Sequence, residues 1–385
     1  MVRLSPPGWQ QLEIKDFLRF TPREVKKPKG KYLSLGIRSH CKGTFIREVA
    51  NPDKVMMEEL YAVKRDDLIV NITFAWEGAV ALVKESDEVA LVSHRFPTYV
   101  FNRNVVVPEF FQYLIPSRFF IYNLGIISPG GAGRNRVLDR KDFLHLRFIL
   151  PSLPEQKKIA RILSAWDKAI ETLSKLIEAK TMLKKSLMQK LLTGKIGIKN
   201  NKWQTLKLAE CCEILDTQRK PLNETQRSQM RGNIPYYGAN GLLDHVDDYI
   251  FNEELILMAE DGGYFDEFMT RPIAYLISGK SWVNNHAHVL RTKKGFYQHL
   301  IYYCLVHKNT SKYLNSGTRS KLNRSELEKI EIEIPSDYEM QKRIAGVLTS
   351  FDLEIDCLSS IQEKLKFQKQ GLMQKLLTGK VRVKT

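Results

Sequence analysis

The nonapeptide LMQKLLTGK occurs twice, at 187–195 and at 372–380. It is the centre of a longer internal repeat. QKKIARILSAWDKAIETL (156–173) aligns with QKRIAGVLTSFDLEIDCL (341–358), and the match continues without a gap to Ile198 and Val383 at an offset of 185. Just upstream ILPSLPEQ (149–156) lies against IPSDYEMQ (334–341), and LDRKDFLHLRFILP (138–151) matches LNRSELEKIEIEIP (322–335) at an offset of 184. The heads correspond more weakly, GWQQL (8–12) with KWQTL (202–206). The chain is therefore two copies of one unit, each a divergent body followed by a preserved tail, and any fold must place the same tail twice. The boundaries read from the repeat are a body at 1–151, a tail at 152–198, a second body at 199–335 and a second tail at 336–385.

The tails read as long helices. Each opens on Ser-x-x-Glu, Ser152/Glu155 and Ser336/Glu339, the pattern of a capping box. Pro154 stands where an early helical proline is tolerated. Leu163, Trp166, Ile170, Leu173 and Ile177 step by three and four, as do Leu348, Phe351, Ile355 and Leu358. That spacing is a heptad seam. Thr193-Gly194 and Thr378-Gly379 supply C-terminal stops. Each helix then holds about 40 residues and spans about 60 Å. A four-residue insertion after Lys175 is expected to lengthen it by about 6 Å.

The bodies mix short β-like runs with Gly- and Asn-rich turns: VALVSHRFPTYVF and LIVNITFAW in the first, EELILMAEDGGYF and RPIAYLI in the second. Each closes on an alternating strand, Leu144, Leu146, Phe148 and Leu150, then Ile330, Ile332 and Ile334. Both bodies are expected to be α/β or β-rich and similar in fold.

The formal charge is +17, made of +7 in 1–151, +6 in 152–198, +1 in 199–335 and +3 in 336–385. Such an excess favours a polyanionic partner, most simply nucleic acid. The basic first helix is open to three readings: a solvated face, a track along a phosphate backbone, or a surface for an acidic partner. The five cysteines include one adjacent pair, Cys211 and Cys212, and no CxxC, so a reducing compartment fits best. MVRLSPPGWQQ does not read as a signal peptide, and apolar runs such as FFIYNLGII fall short of the ~18 residues of a membrane helix. The expectation is a soluble, cytoplasmic chain with no membrane contact.

Catalytic motifs do not assemble. LTGK lacks the first glycine and the hydroxyl of a phosphate-binding loop and ends a helix instead of starting one. GGAG (130–133) is not a dinucleotide fingerprint, and NPDK (51–54) lacks the second proline and the aromatic of an amino-group methyltransferase loop. Pro52-Asp53 has no acidic-x-Lys partner at nuclease spacing. His286 and His288 suit a hydrogen-bonding pair better than a metal site, and His94 stands alone. No catalytic residue, metal ligand or cofactor is assigned to the chain. Residues suited to base edges are Arg38, Ser39, His40 and Lys42 in LGIRSHCKGTF, Arg134, Asn135 and Arg136 in GGAGRNR, Tyr237 and Asn240 in YYGANG, and Thr318, Arg319 and Lys321 in SGTRSKLNR. Arginine reads guanine bidentately and asparagine reads adenine; ordinary turn chemistry is the alternative for each.

The order body–helix–body–helix, the segments LPEQKKIARILSAWDKAIE and LMQKLLTGK, and the body segments KYLSLGIRSHCKGTF, IPYYGANG, AEDGG and SGKSWVNNHAHVL together resemble the specificity subunit of a type I restriction–modification enzyme over the whole chain. The resemblance implies an α+β protein in which two similar α/β target recognition domains are joined by two long antiparallel coiled-coil helices, related by a pseudo-two-fold internal duplication. Each body would read one half of a bipartite, asymmetric double-stranded DNA target. The helices would set the gap and dock two methyltransferase subunits, which would explain the identical nonapeptides. S-adenosylmethionine, ATP and Mg would belong to those and to the restriction/translocase subunits. Other readings are the specificity module of a fused enzyme, a coiled-coil DNA-bridging or regulatory protein without a methyltransferase partner, and a cryptic nuclease or methyltransferase.

Overall fold

The computed structural model describes residues 6–131, 136–194, 202–315 and 320–383. Two compact units emerge, one formed by 1–172 and 361–385, the other by 173–360. Each is a body together with part of both long helices, so the units cut across the helices that the repeat sets apart from the bodies.

The bodies share one topology. In the first, Gln10–Glu13 pairs antiparallel with Arg147–Leu150. A four-stranded sheet follows in the order Leu18–Phe20, Thr98–Phe101, Leu68–Val70, Val80–Leu82. In the second, Trp203–Lys207 pairs with Glu331–Pro335, and the sheet runs Cys212–Ile214, Ala287–Thr292, Leu255–Ala259, Ala274–Ile277. Each body has a further mixed sheet containing one parallel pair, Tyr32–Ile37 beside Leu91–Val92 and Arg231–Gly238 beside Lys280–Val283. The edge strand Glu24–Lys26 has no counterpart among the described residues of the second body. VALVSHRFPTYVF, which reads as one strand, is two strands in different sheets, because the chain turns at Ser93–Pro97. Leu144, expected in the closing strand, ends the short helix Arg140–Leu144.

The cores are filled differently. Phe17, Phe111, Phe120 and Phe148 pack with ring centroids 5.5–6.4 Å apart in the first body. Ile256, Met258, Leu290, Leu300, Ile301 and Ile332 fill the second. Cores tolerate such exchange if volume and pattern are kept, which is how the bodies diverge without losing the fold. All five cysteines are free, and burial pushes the Cys211 and Cys212 thiols up to about 11 and about 12.

The long helices run Leu153–Leu191 and Tyr338–Leu377; they are called here the central and the terminal helix. They are antiparallel within each unit. In the first, Arg382 pairs with Glu155, Lys369 with Asp167, and Gln362 donates to the Ile170 carbonyl. In the second, Lys180 pairs with Glu354 and Lys184 with Asp352. The seam is not left for outside helices at its ends: Leu163 and Leu348 are fully buried in the body cores. Trp166, Ile170, Leu173, Ile177, Phe351, Ile355 and Leu358 are half-buried.

The second capping box is replaced. Asp337 accepts the Glu339 amide at 3.0 Å, while the Ser336 hydroxyl donates to the Lys202 carbonyl. Glu155 is buried and gives both oxygens to Arg382, at 2.7 and 2.8 Å.

Each nonapeptide packs on a body of its own chain. Met188, Leu191 and Leu192 join the core of the second body, and Leu372, Met373, Leu376 and Leu377 that of the first. Each then stops on a left-handed glycine pressed against a tryptophan: Gly194 (φ +66) on Trp203, Gly379 (φ +68) on Trp9 and Pro6. The repeat's identity thus has an intramolecular cause, while Gln189, Lys190, Gln374 and Lys375 stay exposed. Gly379→Val is expected to destabilise the first unit by about 1–3 kcal/mol from the backbone alone. A Cβ there would also lie 2.4 Å from the Pro6 ring. An unchanged denaturation midpoint would show that this contact is not held in solution.

Candidate nucleic-acid interface

The described residues with base-reading chemistry fall on equivalent loops of the two bodies. Arg38, Ser39, His40 and Lys42 lie in the turn between Tyr32–Ile37 and Thr44–Val49. Asn240 lies in the turn between Arg231–Gly238 and Gly241–Val246, the same hairpin of the second body, with Tyr237 at its base. GGAGRNR and SGTRSKLNR occupy equivalent places in the chain, each leading into the short helix before the closing strand, Arg140–Leu144 and Arg324–Leu327. Arg134, Asn135, Thr318 and Arg319 lie outside the described residues.

A third loop, which the sequence reading did not single out, joins these two in each body. In the first it is Ala75–Gly78: its carbonyls at Glu77 and Gly78 accept the His40 and Cys41 amides at 2.7 and 3.0 Å. Glu77 also accepts the Ser39 hydroxyl at 2.6 Å, and Trp76 lies under Arg136. In the second it is 260–263: Gly262 accepts from Asn240 at 3.0 Å, Asp261 bridges to Lys321, and Glu260 pairs with Lys321 at 3.0 Å. AEDGG carried the only sequence signal for it; AWEG carried none.

Within the cluster the side chains divide by what they already hold. His40 and Lys42 are exposed, and among the described residues no hydrogen bond occupies their side chains. Arg38 is exposed but donates to the Thr44 carbonyl and covers Phe45. Arg136 is committed internally: it donates to the Ser128 and Gly125 carbonyls at 3.1 and 2.6 Å, closing the C-terminus of helix Arg118–Ile126. His40 and Cys41 both take left-handed backbone (φ 60 and 55). Two successive non-glycine residues there are strained, a state kept where the surroundings hold it and a common mark of functional loops.

Beneath the second cluster lies a buried polar network. His288 is 1% exposed; its Nδ1 meets Asp216 at 2.6 Å and its Nε2 the Leu322 carbonyl at 2.8 Å. A carbonyl only accepts, so Nε2 carries a proton. Arg219 reaches Glu260 at 2.6 Å and Asp216 at 3.5 Å. Burial alone would raise both carboxyls. Only together do the lowering contacts outweigh it, the His288 bond and charge, the Val289 amide and the Arg219 charge at Asp216, and the Arg219 and Lys321 bonds with the His288 and Arg219 charges at Glu260, so both lie below the usual carboxylate range. Asp216, Glu260 and His288 gather like metal ligands, but Arg219 and Lys321 already occupy the carboxylates. His286 is paired with Asp261 at 2.7 Å. The network ties the Lys321 loop to the sheet.

The model of the type I restriction modification DNA specificity domain matches the chain twice, over residues 6–181 and 200–367. The chain belongs to that family. It is 28% identical over 341 residues to the putative MjaX specificity subunit of Methanocaldococcus jannaschii, covering 80% of this chain and 76% of that one. It is 35% identical over 151 residues to a putative type I restriction enzyme specificity subunit of Haemophilus influenzae, but that match spans 39% of this chain and only 36% of the relative. The crystal structure of the type I restriction–modification S subunit from M. genitalium superposes with a TM-score of 0.65 at 17% identity, covering 97% of this chain and 99% of that one. A structure from work on assembly and conformational transition of the type I system gives 0.55 at 17% identity, covering 98% and 100%. These fold likenesses agree with two specificity domains and two long helices. No helix among the described residues is long and apolar enough to cross a membrane.

Proposed function

We propose that the chain is a non-catalytic DNA-recognition subunit whose two bodies each read one half of a bipartite, asymmetric double-stranded target. The observation that carries this reading is the same three-loop cluster in two bodies whose cores and loop residues differ. One scaffold offering two different sets of polar side chains suits two different half-sites. Among the described residues the DNA contacts fall to His40, Lys42, Arg38, Asn240 and Lys321; Arg134, Asn135, Thr318 and Arg319 keep the role expected of them from sequence.

The helices set the gap and dock two copies of a methyltransferase subunit. Support comes from exposed apolar residues at equivalent repeat positions: Leu176 and Ile361 are 40% and 42% exposed, Met182 and Phe367 73% and 78%. Two like surfaces on one chain suit a partner present twice. The methyltransferase subunits carry S-adenosylmethionine, and the restriction/translocase subunits ATP and Mg; the assembly works in the cytoplasm.

The test is an exchange of bodies. Replacing 199–335 with the body of another specificity chain, and mapping methylated adenines in host DNA, is expected to change one half-site and leave the other intact. A map with both halves altered would sink the modular reading. Isolation of the chain without a methyltransferase subunit would favour the bridging or regulatory alternative.

A further inference from the structure

In both units one body helix is fastened to the long helices at two points by the same chemistry. In the first unit the helix is Pro108–Leu114. At its start Gln156, buried on the central helix, accepts the Val107 amide at 3.2 Å and donates to the Val105 carbonyl at 2.9 Å. Six residues on, the Tyr113 hydroxyl donates to Asp167 Oδ2 at 2.8 Å, and Lys369 Nζ takes Oδ1. In the second unit the helix is Gln298–Leu305. Gln341 accepts the Tyr297 amide at 2.8 Å, Tyr303 donates to Asp352 Oδ2 at 2.7 Å, and Lys184 takes Oδ1. Each lysine Nζ also stands 5.4 Å from the centroid of its tyrosine ring.

The recurrence reaches individual atoms, although PEFFQYL and QHLIYYCL share almost nothing else. Helix-borne members keep the repeat offset: Gln156 answers to Gln341, Asp167 to Asp352, Lys184 to Lys369. Each joint unites three chain segments, a body helix, one long helix and the other. Both tyrosine rings are buried, and a buried phenol needs a partner for its hydroxyl. Burial, with the carboxylate at the hydroxyl, holds both phenols well above their ordinary range, so both remain donors. A single fastening leaves a helix free to swivel. Two, six residues and about 9 Å apart along it, fix its direction and hence that of the loops beyond it.

We propose that the joints Tyr113–Asp167–Lys369 and Tyr303–Asp352–Lys184 set the angle at which each body is carried, and so determine which gap lengths between half-sites the protein accepts. This rests on the bipartite reading above. One step of duplex is about 3.4 Å, so a body released to swing by a few ångströms at its loops reaches a neighbouring base pair. These are positioning residues: none of them needs to touch DNA.

The test uses the full chain assembled with its methyltransferase subunits. The wild-type target is defined by methylome mapping. Binding is then measured to duplexes with both half-sites and the gap set one base pair shorter, correct, or one longer. Tyr303→Phe keeps the ring and loses the bond; Lys184→Met keeps the tyrosine–aspartate bond and loses the clamp from the other helix. Both are expected to keep the half-site bases and lose about tenfold of the preference for the correct gap, the scale of one hydrogen bond to a charged group. Lys184→Arg is expected to restore it. If Tyr303→Phe does not assemble, Lys184→Met and Tyr113→Phe give the same reading. Unchanged gap preference in the variants that assemble, or altered preference for half-site bases, would overturn the joints alone. A wild-type chain that recognises no gapped target would overturn the bipartite reading and the joints with it.

Discussion

Arg219→Ala should unfold the second unit at markedly lower denaturant than wild type, by about 3–5 kcal/mol, the cost of breaking a buried ion pair from one side. Its guanidinium stands between two carboxylates whose side chains are mostly buried, Asp216 and Glu260, and also donates to the Ala287 carbonyl at 2.8 Å. Removing it leaves His288 and Lys321 to balance both acids. The sign with pH follows. Both acids titrate lower folded than unfolded, so their contribution is present above the unfolded carboxylate range of about 4 and lost as pH falls below it. The variant should therefore unfold in acid at a higher pH than wild type. Arg324→Ala is the contrast: its pair with Glu328 is exposed, and such pairs contribute about 0.3–0.5 kcal/mol. Equal effects from the two variants in a two-transition unfolding curve would show that the network is not buried in solution.

A four-residue insertion after Lys175 alone should abolish recognition, whereas matched insertions after Lys175 and after its repeat equivalent Ser360 should restore it with a gap longer by about one or two base pairs, since four residues add about 6 Å of helix. This goes beyond the expectation from sequence, which lengthens the central helix alone. The central helix is paired with the terminal helix in both units, through Asp167 and Lys369 in one and through Lys184 and Asp352 in the other. Seventeen residue steps separate Asp167 from Lys184, and seventeen separate Asp352 from Lys369. Adding length to one helix sets one joint against the other; adding it to both keeps each joint intact. Methylation mapping of the single and matched variants decides between them. An active single-insertion variant with an unchanged gap would show that the helices do not space the bodies.

Much of the architecture was legible because it is written in local periodicity and in repetition. Three-and-four spacing from Leu163 to Ile177 depends only on the helical turn, and the duplicated tails announce two like units whatever their bodies do. The hairpin at Arg38–Lys42 and the turn at Asn240 were legible for the same reason: glycine and polar residues between alternating strands mark turns. Arg136 shows the limit of such reading. Its residue type and glycine-rich setting suit a base contact, yet the fold brings the end of helix Arg118–Ile126 and Trp76 to it, and its donors go there.

The sequence by itself determined that there are two similar bodies, two long helices with a common seam, and a basic excess suited to nucleic acid. Only the tertiary structure decided where each nonapeptide packs, that Ala75–Gly78 and 260–263 complete the loop clusters, and that a tyrosine, an aspartate and a lysine meet in each unit. The physical reason is distance along the chain. Asp167 and Lys369 stand 202 positions apart and Glu155 and Arg382 stand 227 apart. No local pattern in one segment records the residue that a folded chain will bring against it.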